Sequence, residues 1–296
     1  MKRNIGIVIL NYNTWQATID AVKELLGQRC KHSLFIQVVD NDSPNGSYER
    51  LKEALLDYDN VAVYANTENS GYAKGNNVGL RLLAVHNPDY ALVMNNDVHF
   101  DVSVFDSLIE AYERVEECGA ISPLQYYGTG ELNRAPLPIP TFWDDFFDYT
   151  FFISKMRRRL LDFKENTLHK DVFRVGRNHG SFIFMDYGLF ESVGFFSEDT
   201  FLFCEERFLA RKLADIGKYC YMHLGCSYVH DHSMTISNEV AFMRQMRLVH
   251  EGRKSYTRRF RRFASLKIAV LSGMWLYQSM RLRCAATFRK LFCKKN

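Results

Sequence analysis

The sequence predicts an α/β protein of the Rossmann-like kind: a mostly parallel sheet sandwiched by helices, followed by a C-terminal amphipathic helical tail. Three observations carry that expectation. Short apolar runs alternate with helically spaced apolar residues from residue 5 to residue 123. The runs are apolar throughout, as strands covered on both faces must be. Polar and turn-forming residues gather just after each run, where open parallel sheets place their ligands.

Each element has its own justification. Residues 5–10 are an unbroken β-rich run that stops at Asn11 and Asn13. Trp15, Ile19, Val22 and Leu26 follow at helical spacing. Residues 34–39 form a second strand, ending in the turn-rich stretch from Asp40 through Asp42 to Ser47. Ser47 is placed to cap a helix holding Leu51, Leu55 and Leu56. Residues 61–65 are a third strand, 72–86 a helix, and 90–94 a fourth strand ending at Asn95-Asn96-Asp97. Ser103 and Asp106 have capping-box spacing for a helix reaching 117, and 120–123 is a short fifth strand. Residues 124–175 are less regular. Seven aromatics lie between Phe142 and Phe152, with Arg157-Arg158-Arg159 beyond. They read either as a core-facing helix with a charged end or as a lid that touches an amphiphile. Residues 182–185 read as a strand, 205–216 as a helix, and 219–229 as one or two strands.

Composition narrows the class. With 47% hydrophobic and 24% charged residues, the 296-residue chain is neither disordered nor fibrous. From Arg244 onward there are 15 Lys and Arg against one acid, Glu251. That tail carries +14, so residues 1–243 carry about −10 within a whole-chain net charge of +4. The seven cysteines are scattered, without a CxxC pair, which fits a reducing compartment. The longest charge-free apolar stretch, residues 268–280, has 13 residues, too short for a spanning helix. The basic tail, 244–296, therefore reads as an interfacial segment on an anionic leaflet, with Ala285, Phe288 and Phe292 on one face. Packing of the tail on the body or on an oligomer partner is the plain alternative. Residues 268–277 are too apolar for a nucleic-acid face, so no nucleic acid is expected. The expected location is cytoplasmic, peripheral on the inner face of the cell membrane. Neither a GxGxxG nor a GxxxxGK[ST] motif is present, which removes the usual NAD and P-loop fingerprints.

Four motifs sit at successive strand ends: Val39-Asp40-Asn41-Asp42-Ser43, Asn69-Ser70-Gly71-Tyr72-Ala73, Gly75-Asn76-Asn77-Val78-Gly79 and Met94-Asn95-Asn96-Asp97-Val98. In order and spacing they resemble the family-2 glycosyltransferases of the GT-A fold. The nearest similarity is to bacterial rhamnosyltransferase-like members that build surface polysaccharides. The likeness covers roughly residues 4–235. It implies an inverting transferase that moves a sugar, rhamnose by analogy, from a nucleoside-diphosphate donor to a hydroxyl of a lipid-linked glycan.

The residues can be read beside that likeness. Asp40 ends a buried strand, and a carboxylate there can accept from a base N–H or a ribose hydroxyl. Asn11, Asn13, Asp42, Asn69, Gly71, Asn77, Asn95 and Asn96 complete the expected donor-binding set. Asn95-Asn96-Asp97 stands where the family has its DxD metal motif. Asp97, with Asn95 and His230, is the expected holder of Mg²⁺ or Mn²⁺. Asn in place of the first Asp implies a weaker hold. The stretch from Gly194 to Glu206 resembles the family segment whose second acid is the general base. That assigns Glu206, with Glu205 as the fallback and Arg211 as a basic partner. His179, Gly180 and Ser181 are expected on the acceptor side. A rival zinc set, Cys220, His223, Cys226, His230 and His232, matches no standard structural zinc spacing.

The expected organisation is a nucleotide-sugar half (1–123), an acceptor and catalytic half of the same domain (124–239), and the tail (240–296). Two other classes compete: a sugar-phosphate nucleotidyltransferase, and a membrane-bound glycan- or nucleic-acid-binding protein without catalysis. The first is disfavoured because Asn11-Tyr12-Asn13-Thr14 stands where a Gly-rich basic loop is usual.

Overall fold

The computed structural model describes residues 1–100, 104–133, 138–150, 167–169, 171–231 and 239–292. The N-terminal half alternates as expected: β1 (Asn4–Asn11), α1 (Trp15–Leu26), β2 (Ser33–Asp40), α2 (Ser47–Ala54), β3 (Val61–Ala65), α3 (Gly71–Leu83) and β4 (Tyr90–Met94). β5 (Val98–Phe100), α4 (Val104–Arg114), β6 (Cys118–Tyr127) and α5 (Phe142–Asp148) follow. Then come β7 (Thr167–His169), β8 (Val172–Val175), β9 (Phe182–Asp186), α6 (Tyr187–Ser192), α7 (Glu205–Asp215) and β10 (Tyr219–His230). Two helices, α8 (Glu239–Phe260) and α9 (Ala264–Phe292), close the chain.

The ten strands of the described residues join one sheet in the order β3-β2-β1-β4-β9-β6-β10-β8-β7, with β5 paired to β10. β1 to β4 are parallel. β9 enters between β4 and β6 in the antiparallel sense. The fully parallel N-terminal sheet is thus half of a mixed one. Ile5, Ile7, Val8, Ile9, Val38, Leu92 and Val93 are buried in the central core, which explains their unbroken apolar runs.

Several local expectations are corrected. Ser47 is not the cap: Gly46 holds that place with φ 73°, and the Ser47 hydroxyl donates to Asn45 Oδ1 at 2.6 Å. The 72–86 helix ends at Leu83 and tightens into a 3₁₀ turn, Ala84–His86. α4 stops at Arg114 rather than 117, and Ser103 lies outside the described residues. The 120–123 strand runs from Cys118 to Tyr127. Residues 219–229 form one long strand with a bulge between His223 and Ser227. β5, β7, β8 and α6 were not foreseen, because segments of three to six residues carry no readable period.

The described part of the aromatic segment is a helix, α5, followed by the buried Tyr149. α5 is capped by a reciprocal Thr141–Asp144 box, buries the acid Asp145, and exposes Trp143. Phe151, Phe152 and Arg157 to Arg159 lie outside the described residues. The tail also behaves differently in its two halves. α8 docks on the body, with Arg253 and Arg261 on Asp145, Arg253 on Asp148, and Arg259 on Asp199. The three tail cations Arg253, Arg259 and Arg261 are thus spent on three acids of the protein, not on an external anion. Among the described residues no helix is long and apolar enough to cross a membrane.

Candidate functional site

A cleft of about 450 Å³ opens at the carboxyl ends of β1, β2 and β4. Leu10, Tyr12 and Thr14 line it at and after the end of β1, Asn41 just after β2, and Asn69, Gly71 and Tyr72 at the start of α3. Asn95, Asn96 and Asp97 form its floor after β4. Phe201, Leu202 and Phe203 form one wall, and Arg244, Gln245 and Leu248 of α8 form another. Among these lining residues Asp97 is the one acid and Arg244 the one base.

The floor is built by a long-range pairing. β5 runs antiparallel to β10 with Val98 opposite His230, so His230 arrives beside Asp97. His230 Nε2 lies 3.1 Å from Asp97 Oδ1 and 3.4 Å from Asn95 Nδ2. Asp97 Oδ1 is buried and has no aligned hydrogen bond among the described residues. On the other side of the ring, Gln125 Nε2 is 3.1 Å from His230 Nδ1. The structure therefore brings together all three residues expected to hold a metal. One carboxylate, one amide and one imidazole, with an orphaned carboxylate oxygen, fit a hard divalent cation that keeps some of its water. Among the described residues no cluster of three His, Cys, Asp or Glu side chains could hold a metal. The rival zinc set is split: His223 meets Ser107 Oγ at 2.6 Å and the Asp171 carbonyl at 3.0 Å, and His232 lies outside the described residues.

The expected donor residues divide into two groups. Asn69, Gly71, Asn95 and Asn96 line the cleft. Asn96 is held there by Thr14 and Thr18, each hydroxyl 2.7 Å from its Nδ2. Asn69 Oδ1 accepts from Asn41 Nδ2 at 3.0 Å and from the Gly71 N–H at 3.1 Å. Asn11, Asp40 and Asn77 are buried as braces instead. Asp40 accepts from Asn11 Nδ2 at 2.6 Å, and from the Ser43 hydroxyl and N–H at 2.7 and 2.9 Å. Asn77 clamps both backbone polar groups of Phe196 and donates to Glu198. Asn13 and Asp42 are exposed turn residues with φ of 64° and 60°. They do not line the cleft.

None of the expected acceptor residues, His179, Gly180 and Ser181, is among those that line this cleft. The Tyr72 hydroxyl donates to the Gly180 carbonyl at 2.6 Å. Ser181 is buried, its hydroxyl 2.9 Å from that of Tyr228, and its carbonyl accepts from the Asn95 N–H at 3.0 Å. His179 Nε2 meets Asn133 Nδ2 at 3.3 Å. The Ser181 side chain is thus an interior contact of Tyr228.

The two acids opening α7 differ sharply. Glu205 is buried, takes a hydrogen bond from the Thr200 hydroxyl at 3.2 Å, and is pushed up to about 7 by burial, against its backbone N–H bonds and Thr200. Glu206 is gripped by Arg177, whose guanidinium burial and the nearby Arg207 push down to about 10. Arg211, the expected partner, instead pairs with Asp215 at 2.8 Å, one turn along α7. Cys204, which precedes the pair, sits in the left-handed region at φ 76°.

A stability consequence follows for Glu205. Its folded pKa lies above its unfolded value near 4.5, so its stabilising contribution is full below about 4.5 and is lost as pH rises through about 7. The shift corresponds to about 3 kcal/mol. Glu205→Gln should therefore flatten the fall in stability between pH 5 and pH 8, measured by urea unfolding of both proteins at several pH values. Parallel pH profiles for wild type and variant would show that Glu205 is ionised in the folded state.

Sequence reasoning missed Tyr72, Arg177 and Arg244 as site residues. Arg244 was counted with the tail, because nothing in a local window shows that α8 returns to the cleft.

The family model described as Glycosyl transferase family 2 matches residues 6–193. The chain belongs to glycosyl transferase family 2. It is 26% identical over 208 residues to the low-salt glycan biosynthesis hexosyltransferase Agl10 of Haloferax volcanii, covering 70% of this chain and 60% of Agl10. Among solved structures it resembles the mannosyltransferase PcManGT of Pyrobaculum calidifontis, in complex with GDP-Man and Mn²⁺ (TM-score 0.59, 13% identity, 98% of this chain and 81% of that one). GalNAc-T7 with UDP, GalNAc and Mn²⁺ also has a TM-score of 0.59, at 13% identity, over 86% of this chain and 50% of its own. Residues 1–349 of TarS of S. aureus match at 0.53 and 14% identity, over 94% of this chain and 71% of that one. This family-2 chain thus spans about half to 60% of the length of Agl10 and GalNAc-T7. At such identities the solved structures speak for the fold, which is the GT-A fold expected from the sequence.

Proposed function

We propose that this family-2 chain is an inverting glycosyltransferase. It would move a hexose, rhamnose-like by the sequence resemblance, from a nucleoside-diphosphate donor to a hydroxyl of a lipid-linked glycan. The observation that carries the reading is the meeting of Asn95, Asp97 and His230, 135 residues apart in sequence, on the floor of the cleft that Arg244 borders. A diphosphate leaving group needs opposing charge at that point. Mg²⁺ or Mn²⁺ held by Asp97 and His230, with Asn95 direct or through water, supplies that charge when bound. Arg244 adds a fixed cation on the facing wall. Asn69 and Asn96 offer amides to the ribose and phosphates, and the braces Asn11, Asp40 and Asn77 keep those loops in place.

Glu206 is the proposed base. Arg177 grips it, and the acceptor hydroxyl gives its proton to that carboxylate as its oxygen attacks the anomeric carbon opposite the diphosphate. One displacement of this kind inverts the anomeric centre. Glu205 stays as a buried carboxyl at the helix start. The nucleotide ligands and Mn²⁺ named for PcManGT and GalNAc-T7 support the donor class and the metal. The lipid-linked acceptor and a peripheral place on the inner membrane face are supported by the +14 tail.

Calorimetric titration of uridine and deoxythymidine diphosphates with Mn²⁺ tests the reading. Asp97→Ala should weaken binding at least about tenfold, roughly 1.4 kcal/mol, and chelator should bring the wild type to the same level. Undiminished Mn²⁺-supported binding by Asp97→Ala would remove the floor as the diphosphate site.

A further inference from the structure

We infer that the outward face of α9 is a lipid-contact surface, seated on an anionic bilayer with the helix lying in its plane. The inference begins with an inverted polarity. Phe263, just before the helix, is 77% exposed, and Leu266, Leu276 and Met280 are 68%, 61% and 59% exposed. Tyr277 and Val270 join them. Residues 263, 266, 270, 277 and 280 recur at steps of three and four, with exposed Gly273 filling the gap, so they make one continuous stripe. The opposite side buries Gln278 and Ser279 beside Leu271. Gln278 Oε1 and Ser279 Oγ have no hydrogen-bond partner among the described residues. A helix meant for water on its outer side would be turned the other way. An apolar stripe of this length on a free surface marks a contact site.

Charge selects the occupant. Exposed Arg258 and Arg262 flank the stripe at its start, and the sequence contains no Asp or Glu after Glu251. A second copy packed stripe against stripe would set these cations against cations of the same kind. An anionic headgroup layer answers every one of them. The helix cannot cross a bilayer, so it lies along the surface with its stripe below the headgroups. The surface is narrower than the whole basic tail. The cations Arg253 and Arg259 of α8, and Arg261 just after it, already face Asp145, Asp148 and Asp199, which leaves contact to α9 and its flanks.

This inference deepens the membrane part of the proposed function and rests on it for its purpose. Vesicle binding needs neither donor nor acceptor, so its failure leaves transfer standing, and a failure of transfer leaves it standing. The full chain is sedimented with phosphatidylcholine vesicles, with or without phosphatidylglycerol. The wild type should partition at least about tenfold more strongly onto the anionic vesicles, and added salt should reduce the excess. Leu266→Ser with Met280→Ser should lose at least about tenfold of that binding, with an unchanged melting temperature and unchanged nucleotide binding. Arg258→Ser with Arg262→Ser should abolish the preference for anionic lipid. Equal wild-type binding to both vesicle types overturns the proposal without any variant. So does a wild-type dimer, seen by light scattering, that the serine pair splits while vesicles stay unbound; a second copy would then cover the stripe.

Discussion

Glu206→Gln should reduce transfer by about 10²- to 10⁴-fold while donor binding stays at the wild-type level. The amide keeps the size and polarity of the side chain, and it still has an oxygen to accept from Arg177. What it loses is the ability to receive the acceptor's proton. The loss should therefore fall on kcat, with the nucleoside-diphosphate Kd unchanged by calorimetry. Glu205→Gln is the internal comparison. Its carboxyl is buried against Thr200 and the start of α7, so an amide there should leave kcat within a few-fold of wild type. Single-turnover rates of both variants settle the assignment. Near-normal transfer by Glu206→Gln, or collapse with Glu205→Gln alone, would hand the role to Glu205.

The second large effect is expected at Asp145. Its buried carboxylate meets Arg207 Nη2 at 2.8 Å, Arg261 Nη2 at 2.9 Å and Arg253 Nε at 3.3 Å. Three cations therefore converge on one anion where α5, α7 and α8 meet. Burial works against the Arg207 charge, yet Asp145 outweighs it and the guanidinium pKa is raised. Tyr256 lies under Arg207 and Arg261, and Tyr149 under Arg253, which replaces some of the lost hydration. Asp145→Ala would strand these cations, at a cost of about 3–5 kcal/mol. Urea and thermal unfolding should show that loss, and Asp145→Asn should recover only part of it. Because α8 also carries Arg244, Gln245 and Leu248 to the cleft, the surviving folded protein should bind nucleotide more weakly. A destabilisation below about 1 kcal/mol would mean that Asp145 is not what holds α8 to the body.

These features differ in how far the sequence announces them. The strands β1 to β4 could be read because each is an apolar run closed by turn chemistry, and both signals are local. The floor residues Asn95 and Asp97 followed from the same pattern at the end of β4. His230 came from family likeness; its place beside Asp97 depends on β5, a three-residue strand that no periodicity reveals. Asp40 was read as a ligand because it ends a buried strand. The same position lets Asn11 and Ser43 consume its oxygens, and a one-dimensional pattern cannot separate the two outcomes. The tail shows the limit most plainly. Its charge total was legible, but Arg253 and Arg261 are committed to an acid more than a hundred residues upstream.

One peptide contact has a wider consequence. Gly71, at φ 84°, brings its backbone so close to Phe201 that a Cβ would collide with the Phe201 carbonyl, and the Tyr72 N–H donates to that carbonyl at 2.7 Å. The loop that opens α3 at the cleft and the loop leading to Glu206 are thereby riveted at a fixed gauge. A bulkier sugar gains no room by prying those loops apart, so donor choice should follow dimensions already cast into the scaffold.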